Sequence, residues 1–480
     1  MMDNTALKYI KFTPLLFVLT LLLILSCNDD EMGNPDPGTT NPDDMEMNPM
    51  EDDASMSGDT TSVDSEKQYL TLDSDYLFDQ EKLYTYELLL SEENLEYINN
   101  DPAAEEYVSG ALVFQGDTIS PVGIRYKGSI GAFVGCVSGA NWADPSGSKT
   151  CTKLSMKVKI NYEGRQEKFY GLKKLQFHSM NNDDSQLRER VGYALFREMG
   201  VPAPRAVHAR LLINGEYNGL FALIEQVDGR FAKHNWDDDD GNIYKEVWPL
   251  HMDGYPLDEQ TYAAALETNE ELGDVSLMRE FGSALETAES ESEIQQVIRT
   301  YMHLDEALAY CVVDRMIRHD DGPFHWYCDQ VCTNHNYFWY EEPNNKKLHL
   351  VAWDLDNAFE NILGDANPVT PIADEWGETR NNCEPFTYGF FFLRQWSASC
   401  DKLTGGWASF ETEYDGIKQD FKAGPFSQAA INEKVTRWSE QIEQATLEAN
   451  QLHGDAVTLN AWDRAVDRLL EEIAFQRENG

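Results

Sequence analysis

Residues 314–359 carry Asp320-Asp321-Gly322, then Asn334-His335-Asn336-Tyr337-Phe338-Trp339-Tyr340, then Trp353-Asp354-Leu355-Asp356-Asn357-Ala358-Phe359. Two apolar, strand-like runs are bracketed by an acidic pair, an amide and a second acidic pair. This is the inventory a phosphoryl-transfer site requires. One carboxylate orients a hydroxyl, while an amide and further carboxylates hold a divalent cation against phosphates. The remaining sequence is weighed against that possibility.

Outward from this stretch the pattern changes character. On its N-terminal side, Leu83–Leu90, Ala111–Phe114, Val122–Lys127, Leu154–Ile160 and Leu175–Phe177 read as strands. In Leu154–Ile160 apolar and polar residues alternate, which sets Lys153, Ser155, Lys157 and Lys159 on one face. Asp184-Ser185 is expected to cap a helix that runs to Met199 and closes at Gly200. Val207–Leu212 and Gly219–Gln226 form an expected hairpin around Asn214-Gly215. Helical periodicity follows at 276–288, 292–318, 428–450 and 459–476, with 360–405 expected as loop. A β-rich half (67–250) and an α-rich half (251–480) point to an α+β, two-lobed protein with a cleft between the lobes.

The formal net charge is −46, from 38 basic and 84 acidic residues among 480. Such a surface repels nucleic acid and anionic lipid. Lys8 and Lys11 precede an apolar run from Pro14 to Leu25 that is too short to span a bilayer. The run ends Ile24-Leu25-Ser26-Cys27, which resembles a bacterial lipoprotein cleavage box, so 1–27 is read as a lipoprotein signal peptide and Cys27 as the lipidation site. The only membrane contact expected is this lipid tether, on an outer-membrane or cell-surface lipoprotein. Residues 28–66 contain no Lys or Arg and read as a disordered acidic linker.

Export implies oxidising conditions, and near neighbours suggest the pairs Cys136–Cys151, Cys328–Cys332 and Cys383–Cys400, with Cys311 left as a buried thiol. Cys328, Cys332 and His335 are an alternative, three-ligand zinc set. The run Trp236-Asp237-Asp238-Asp239-Asp240-Gly241 is not an EF-hand, because Trp236 and Val247 stand where its first and twelfth ligands belong.

The standard protein-kinase signatures are absent: there is no G-x-G-x-x-G, no H-R-D-L-x-x-x-N and no D-F-G. The order of pieces nevertheless resembles the CotH kinase family, atypical kinases named for a spore coat protein. The likeness is carried by Val122-Gly123-Ile124-Arg125-Tyr126-Lys127-Gly128-Ser129, Lys153–Lys159, Gly171-Leu172-Lys173-Lys174-Leu175, Leu187-Arg188-Glu189 through Arg205, Leu212–Leu220 and Glu225-Gln226-Val227-Asp228. The Asp321, Asn336 and Trp353-Asp354-Leu355-Asp356 blocks complete it. The stretch between Asp321 and Asn336 is about ten residues longer than the family's usual spacing.

The resemblance implies a kinase-like fold that moves the ATP γ-phosphate to Ser or Thr of secreted or surface proteins. Asp321 would then be the catalytic carboxylate, with Asp320 the alternative. Asn336 and Asp354 would hold Mg²⁺ or Mn²⁺, with Asp356 a further ligand. Lys157 would meet the phosphates, with Lys159 in reserve on the same face. Arg125, Lys127 and the Gly128–Gly131 turn would cover them. Glu189 would pair with the phosphate lysine, in competition with Glu198. Glu225 is read either as an adenine-side residue or as half of a buried salt bridge. A non-catalytic surface binding or matrix-organising protein on the same scaffold is the second reading. A carboxylate-pair glycan hydrolase is a third, which leaves Lys157 and Asn336 unused.

Overall fold

Alternation of apolar and polar residues curls the first half of the chain into a closed barrel. Its strands are β1 (Tyr84–Leu89), β2 (Val108–Phe114), β3 (Asp117–Tyr126), β4 (Met156–Lys159), β5 (Lys174–His178), β6 (Ala206–Ile213) and β7 (Glu216–Ile224), in the spatial order β1-β2-β3-β4-β5-β7-β6. All neighbours are antiparallel except β1 and β6, which pair in parallel and close the ring. The computed structural model describes residues 67–141, 144–319, 321–359, 383–387 and 394–480. The signal segment with Cys27, the acidic linker and Asp320 lie outside the described residues.

The barrel interior holds Tyr86, Leu88, Leu112, Phe114, Ile124, Met156, Val158, Leu175 and Phe177, together with Val207, Ala209, Leu211, Phe221 and Leu223. The hairpin β6–β7 has a second duty. Ala206, Leu220, Ala222 and Ile224 point away from the barrel and belong to a separate core. Because side chains alternate along a strand, one hairpin presents an apolar face to each of two cores. Met180 and the buried face of residues 187–203 already belong to this second core, so membership of the two cores overlaps in sequence from Met180 to Ile224.

The second core is built on helices. In chain order the helices are α1 (Gln68–Thr71), α2 (Glu92–Asn100), α3 (Ile130–Phe133), α4 (Arg188–Glu198), α5 (Gly229–Asn235), α6 (Glu259–Ala264), α7 (Ser276–Thr287), α8 (Glu291–Tyr301), α9 (Leu304–Met316), α10 (Lys402–Ala408), α11 (Glu411–Ala423), α12 (Gln428–Leu452) and α13 (Leu459–Asn479). Strand β8 (Ile243–Lys245) pairs with a later strand, which draws residues 243–250 into this core. The other strands are β9 (Trp326–Cys328), β10 (Cys332–Thr333), β11 (Tyr337–Glu342), β12 (Lys347–Ala352), β13 (Phe386–Thr387) and β14 (Arg394–Trp396). They form a sheet β12-β11-β8 and a small sheet β10-β9-β14-β13. The mixed α+β class expected from the sequence is what the structure shows. Among the described residues, no helix is long and apolar enough to cross a membrane.

Three local expectations need correction. The helix expected over 292–318 is two helices. Met302 and His303 are extended between them, and the Lys347 ammonium takes the carbonyls of Arg299, Thr300 and Met302 at 3.0, 2.9 and 3.2 Å. A lysine on those last carbonyls ends a helix in place of a further turn. Helix α4 starts at Arg188, and Asp183, not Asp184, receives its first amide at 2.9 Å. The expected loop 360–405 contains β13, β14 and the start of α10 in its described part.

Helix α12 packs into the helical core and is hydrogen-bonded to the outer side of the barrel. Gln441 accepts from Arg190 at 2.6 Å, Thr446 donates to Gln186 at 2.7 Å, and the Ala445 carbonyl accepts from Tyr217 at 3.1 Å. Just beyond it, Asp455 takes the amide and hydroxyl of Thr152, both at 2.7 Å. Trp438 is buried under the Arg190 guanidinium, 4.4 Å from its ring centre. Trp438→Ala should therefore cost about 3–5 kcal/mol in denaturant unfolding. A loss within error of zero would show that this helix is not part of the cooperative unit.

His208 on β6 accepts from Arg190 at 2.8 Å through Nδ1 and donates to the Gln186 carbonyl at 2.6 Å through Nε2. That is the neutral tautomer. Burial and the neighbouring Arg190 lower its pKa from 6.5 to about 3. The unfolded chain binds this proton first, so the contribution is complete above pH 6.5 and declines as pH falls toward 3. His208→Gln should flatten the acid limb of the stability–pH curve relative to the parent. Parallel limbs would refute a neutral His208.

Candidate functional site

Asp321 and Asn336 are separated by fourteen residues in sequence and meet in space. The Asn336 side-chain amide donates to the Asp321 carbonyl and to Asp321 Oδ2, both at 2.9 Å. The long intervening stretch does not disturb this, because it folds back as the β9–β10 hairpin, bridged by Cys328–Cys332. The other two expected disulfides, Cys136–Cys151 and Cys383–Cys400, are also formed, and Cys311 is a buried free thiol. With Cys328 and Cys332 joined and His335 held elsewhere, the alternative zinc set does not exist.

His335 Nε2 donates to Asp321 Oδ1 at 2.8 Å. Burial opposes a charge on this ring, but Asp321 beside it outweighs burial and raises the pKa to about 9. Burial would likewise raise the Asp321 carboxyl. His335, with His319 and His325, instead holds it below the ordinary carboxylate range. Asp321 is thus a buried, ionised carboxylate whose two oxygens each keep capacity for a further hydrogen bond.

Asp354 follows β12 in a left-handed conformation, φ 55° and ψ 66°. Such backbone is uncommon outside glycine and persists where its surroundings fix it. Two groups fix it here. The Asp354 amide donates to the Tyr193 hydroxyl at 3.1 Å, and the Asp354 carbonyl accepts from His319 Nε2 at 3.0 Å. His319 Nδ1 donates to Asp314 at 3.0 Å. Burial works against its protonation, but with both nitrogens donating and Asp314 adjacent its pKa is raised. Asn336 is left-handed as well, with φ 63°.

After Asp354 comes a 3-10 turn, Leu355–Asn357, which packs on α4. A Cβ on Gly192 would lie 2.7 Å from Leu355 Cδ1, so this glycine sets how closely the acidic turn approaches. Arg188 donates to the Asp356 carbonyl at 3.0 Å, and Asn182 to its side chain at 3.4 Å.

The opposite wall comes from the barrel. Lys127 Nζ donates to Gln176 at 2.9 Å, lies 3.2 Å from His178 Nε2 and sits over the Trp353 ring. His178 Nδ1 donates to Glu189, on the first turn of α4, at 2.9 Å. An acid–imidazole–ammonium chain thus links Glu189 to Lys127. Asp354 feels burial first, then Glu189, and both raise its pKa against the opposing charges of His178 and Lys127. Burial, Asp354 and Glu189 hold the Asp356 carboxyl well above its usual range.

The sequence-derived residues thus separate into two groups. Asp321, Asn336, Asp354, Asp356, Lys127 and Glu189 come together. Lys157 is buried on the same barrel face, in register with Arg125 and Gln176, and the charge of Lys127, expected only to cover phosphates, bears on Asp354. Lys159 stands over Tyr107 instead. Arg125 is paired with Glu105, and Glu105 also takes the Gly128 amide at 2.8 Å, so neither is left to cover phosphates. Glu225 is held by the Arg205 amide, Nε and Nη2 at 3.1, 2.9 and 2.5 Å. It is the buried salt bridge and not an adenine contact. Glu198 pairs with Lys434 at 2.8 Å, which leaves Glu189 as the site acid. Sequence reasoning missed His178, His319 and Tyr193, and gave His335 no part in catalysis; isolated rings and hydroxyls carry no spacing signal. A cavity of about 400 Å³ lined by Asn100, Asp101, Glu105 and Tyr126 lies elsewhere and contains none of the acid cluster.

The donor set suits a hard divalent cation. Asn336 Oδ1 is buried and has no hydrogen-bond partner; burial and Glu189 raise the cost of ionising Asp354, and burial and Asp354 raise that of Asp356. An orphaned amide oxygen beside mutually repelling carboxylates is what Mg²⁺ or Mn²⁺ satisfies.

Barrel, helical core and acid cluster define a mixed α+β protein with an oxygen-rich site facing a buried ammonium. The chain belongs to the CotH kinase protein family, whose pattern matches residues 124–479. No curated protein matches it. The match begins after β2 and continues through α13, so it includes the C-terminal helices.

Gly192→Val should cost roughly 1–3 kcal/mol by overpacking and change the near-UV signal of Trp353, with Gly192→Ala milder because Leu355 Cδ1 can swing away. An unchanged spectrum and midpoint for the valine variant would remove Gly192 as the element that seats the acidic turn.

Proposed function

We propose that the protein is an exported kinase that transfers the γ-phosphate of ATP to Ser or Thr hydroxyls of secreted or surface proteins. The observation that carries this is the meeting of Asp321, the bare Asn336 oxygen and Asp354 on one side with the Lys127–His178–Glu189 chain on the other. Family membership supports a kinase-like role. In this reading the barrel is the nucleotide-side lobe and the helical core the acceptor-side lobe of a kinase-like fold.

Each residue has a task the geometry suits. Asp321, kept ionised by His335, accepts a hydrogen bond from the acceptor hydroxyl and points its oxygen at phosphorus. Lys127, placed by His178 and Gln176, balances phosphate charge, with Lys157 adding to the positive face. Asn336 Oδ1, Asp354 and Asp356 would hold Mg²⁺ or Mn²⁺, which when bound neutralises charge on the phosphates. His319 and Tyr193 keep Asp354 in its left-handed turn. In the transfer the hydroxyl oxygen–phosphorus bond forms as the bond to the bridging oxygen breaks. ADP departs, and the hydroxyl proton passes to Asp321.

The N-terminal 27 residues extend the proposal to place. Processing at Cys27 would tether the enzyme by lipid, with residues 28–66 as a spacer, at the outer membrane or cell surface.

The test is transfer from labelled ATP with Mg²⁺ or Mn²⁺, scored as self-labelling and as labelling of co-purified envelope proteins. Asp354→Ala and Asp321→Asn should each lower transfer by at least about 100-fold, while Glu225→Gln should affect stability more than transfer. Full labelling by Asp354→Ala would sink the assignment. Nucleotide-independent behaviour throughout would favour the non-catalytic surface protein on the same scaffold.

A further inference from the structure

The far end of the β11–β12 hairpin carries a second cluster, independent of the phosphoryl-transfer reading. His303, Glu342 and His349 each offer one ligand atom, and these atoms all lie within 4.8 Å of one another. We propose that His303, Glu342 and His349 bind a borderline-soft divalent cation, for which Zn²⁺ is the best match.

The tautomer of His349 is the first argument. Its Nδ1 lies 2.8 Å from the Glu306 carboxylate and must donate to it. In a neutral ring the lone pair then sits on Nε2. That Nε2 is buried, has no hydrogen-bond partner, and faces Glu342 Oε2 at 3.6 Å. Two acceptors confront each other across a gap, and a cation between them resolves the conflict. Carboxylate support of the non-ligating nitrogen is the usual outer arrangement of a metal-binding histidine.

The remaining ligands are held for the same purpose. Glu342 Oε1 accepts from Asn345 at 2.7 Å, which leaves Oε2 directed at the two rings. His303 Nε2 lies 3.8 Å from that same oxygen. His303 is the N-cap residue of α9, and its position is set by Lys347, which fastens the preceding carbonyls to β12. Lys347 therefore spends its donors on those carbonyls, and Glu342, its cross-strand neighbour, feels its charge without a hydrogen bond from it among the described contacts. Zinc bonds of 2.0–2.1 Å place tetrahedral ligand atoms about 3.3 Å apart. The two distances to Glu342 Oε2, 3.6 and 3.8 Å, need closing by a few tenths of an ångström, and the two imidazole nitrogens, within 4.8 Å of each other, close as the exposed His303 ring swings inward. His303 is exposed while His349 is buried, so the site opens to solvent on one side and leaves a coordination position for water.

The role this geometry supports is mechanical. A bound cation would join the start of α9 to the hairpin that ends in Asn336 and Asp354. At about 3.3 Å per residue, Glu342 stands about 20 Å from Asn336 along β11, too far to contribute to the acid cluster directly.

The experiment is calorimetric titration of the EDTA-stripped full chain with Zn²⁺, alongside thermal unfolding. One site is expected, with a raised midpoint. His303→Ala, at an exposed position that leaves folding intact, and Glu342→Gln should each weaken binding at least about 10-fold, and Glu306→Gln about 10–100-fold. Asp354→Ala should retain it. Zinc affinity unchanged by His303→Ala and Glu342→Gln would overturn the proposal. So would absence of Zn²⁺ binding to the stripped chain.

Discussion

Four carboxylates, those of Asp321, Asp354, Asp356 and Glu189, are gathered against a thin supply of positive charge, and the architecture around the site exists to keep them together. Charges of one sign separate unless something holds them. The restraints are specific. His335 and the Asn336 amide clamp Asp321, His319 and Tyr193 pin the backbone of Asp354, Arg188 holds the Asp356 carbonyl, and His178 holds Glu189. His335 is held protonated against Asp321, while the amide, hydroxyl and backbone restraints carry no charge, so the negative potential is positioned and only partly cancelled. The excess is what a divalent cation would neutralise.

Much of the scaffold was legible in the sequence. The barrel strands announced themselves by alternation, the hairpin by Asn214-Gly215, and the cysteine pairs by proximity. Asn336 and Asp354 stood out because an amide and a Trp-Asp-x-Asp run ending apolar strands are chemically conspicuous. The phosphate-side cation was harder. Lys157 and Lys127 lie on the same barrel face, and no local pattern announces that Lys127 sits over Trp353 with its charge on Asp354. Glu225 looked equally suited to a site and to a salt bridge until Arg205 was placed beside it.

The histidines were the main omission, and for a physical reason. His178, His319 and His335 act by bridging groups distant in sequence, and a bridge has no local signature. The same holds for α12, whose amphipathic pattern marks a helix without saying that it lies across the barrel. The break at Met302-His303 depends on Lys347, more than forty residues away.

The hairpin β6–β7 serves both apolar interiors at once, Val207 and Phe221 turned one way, Ala206 and Leu220 the other. No cut can assign those strands to a single half without stripping the other of a wall. A recombination that swapped one side alone would therefore leave the other with an unmatched apolar wall, so the two sides travel as one module.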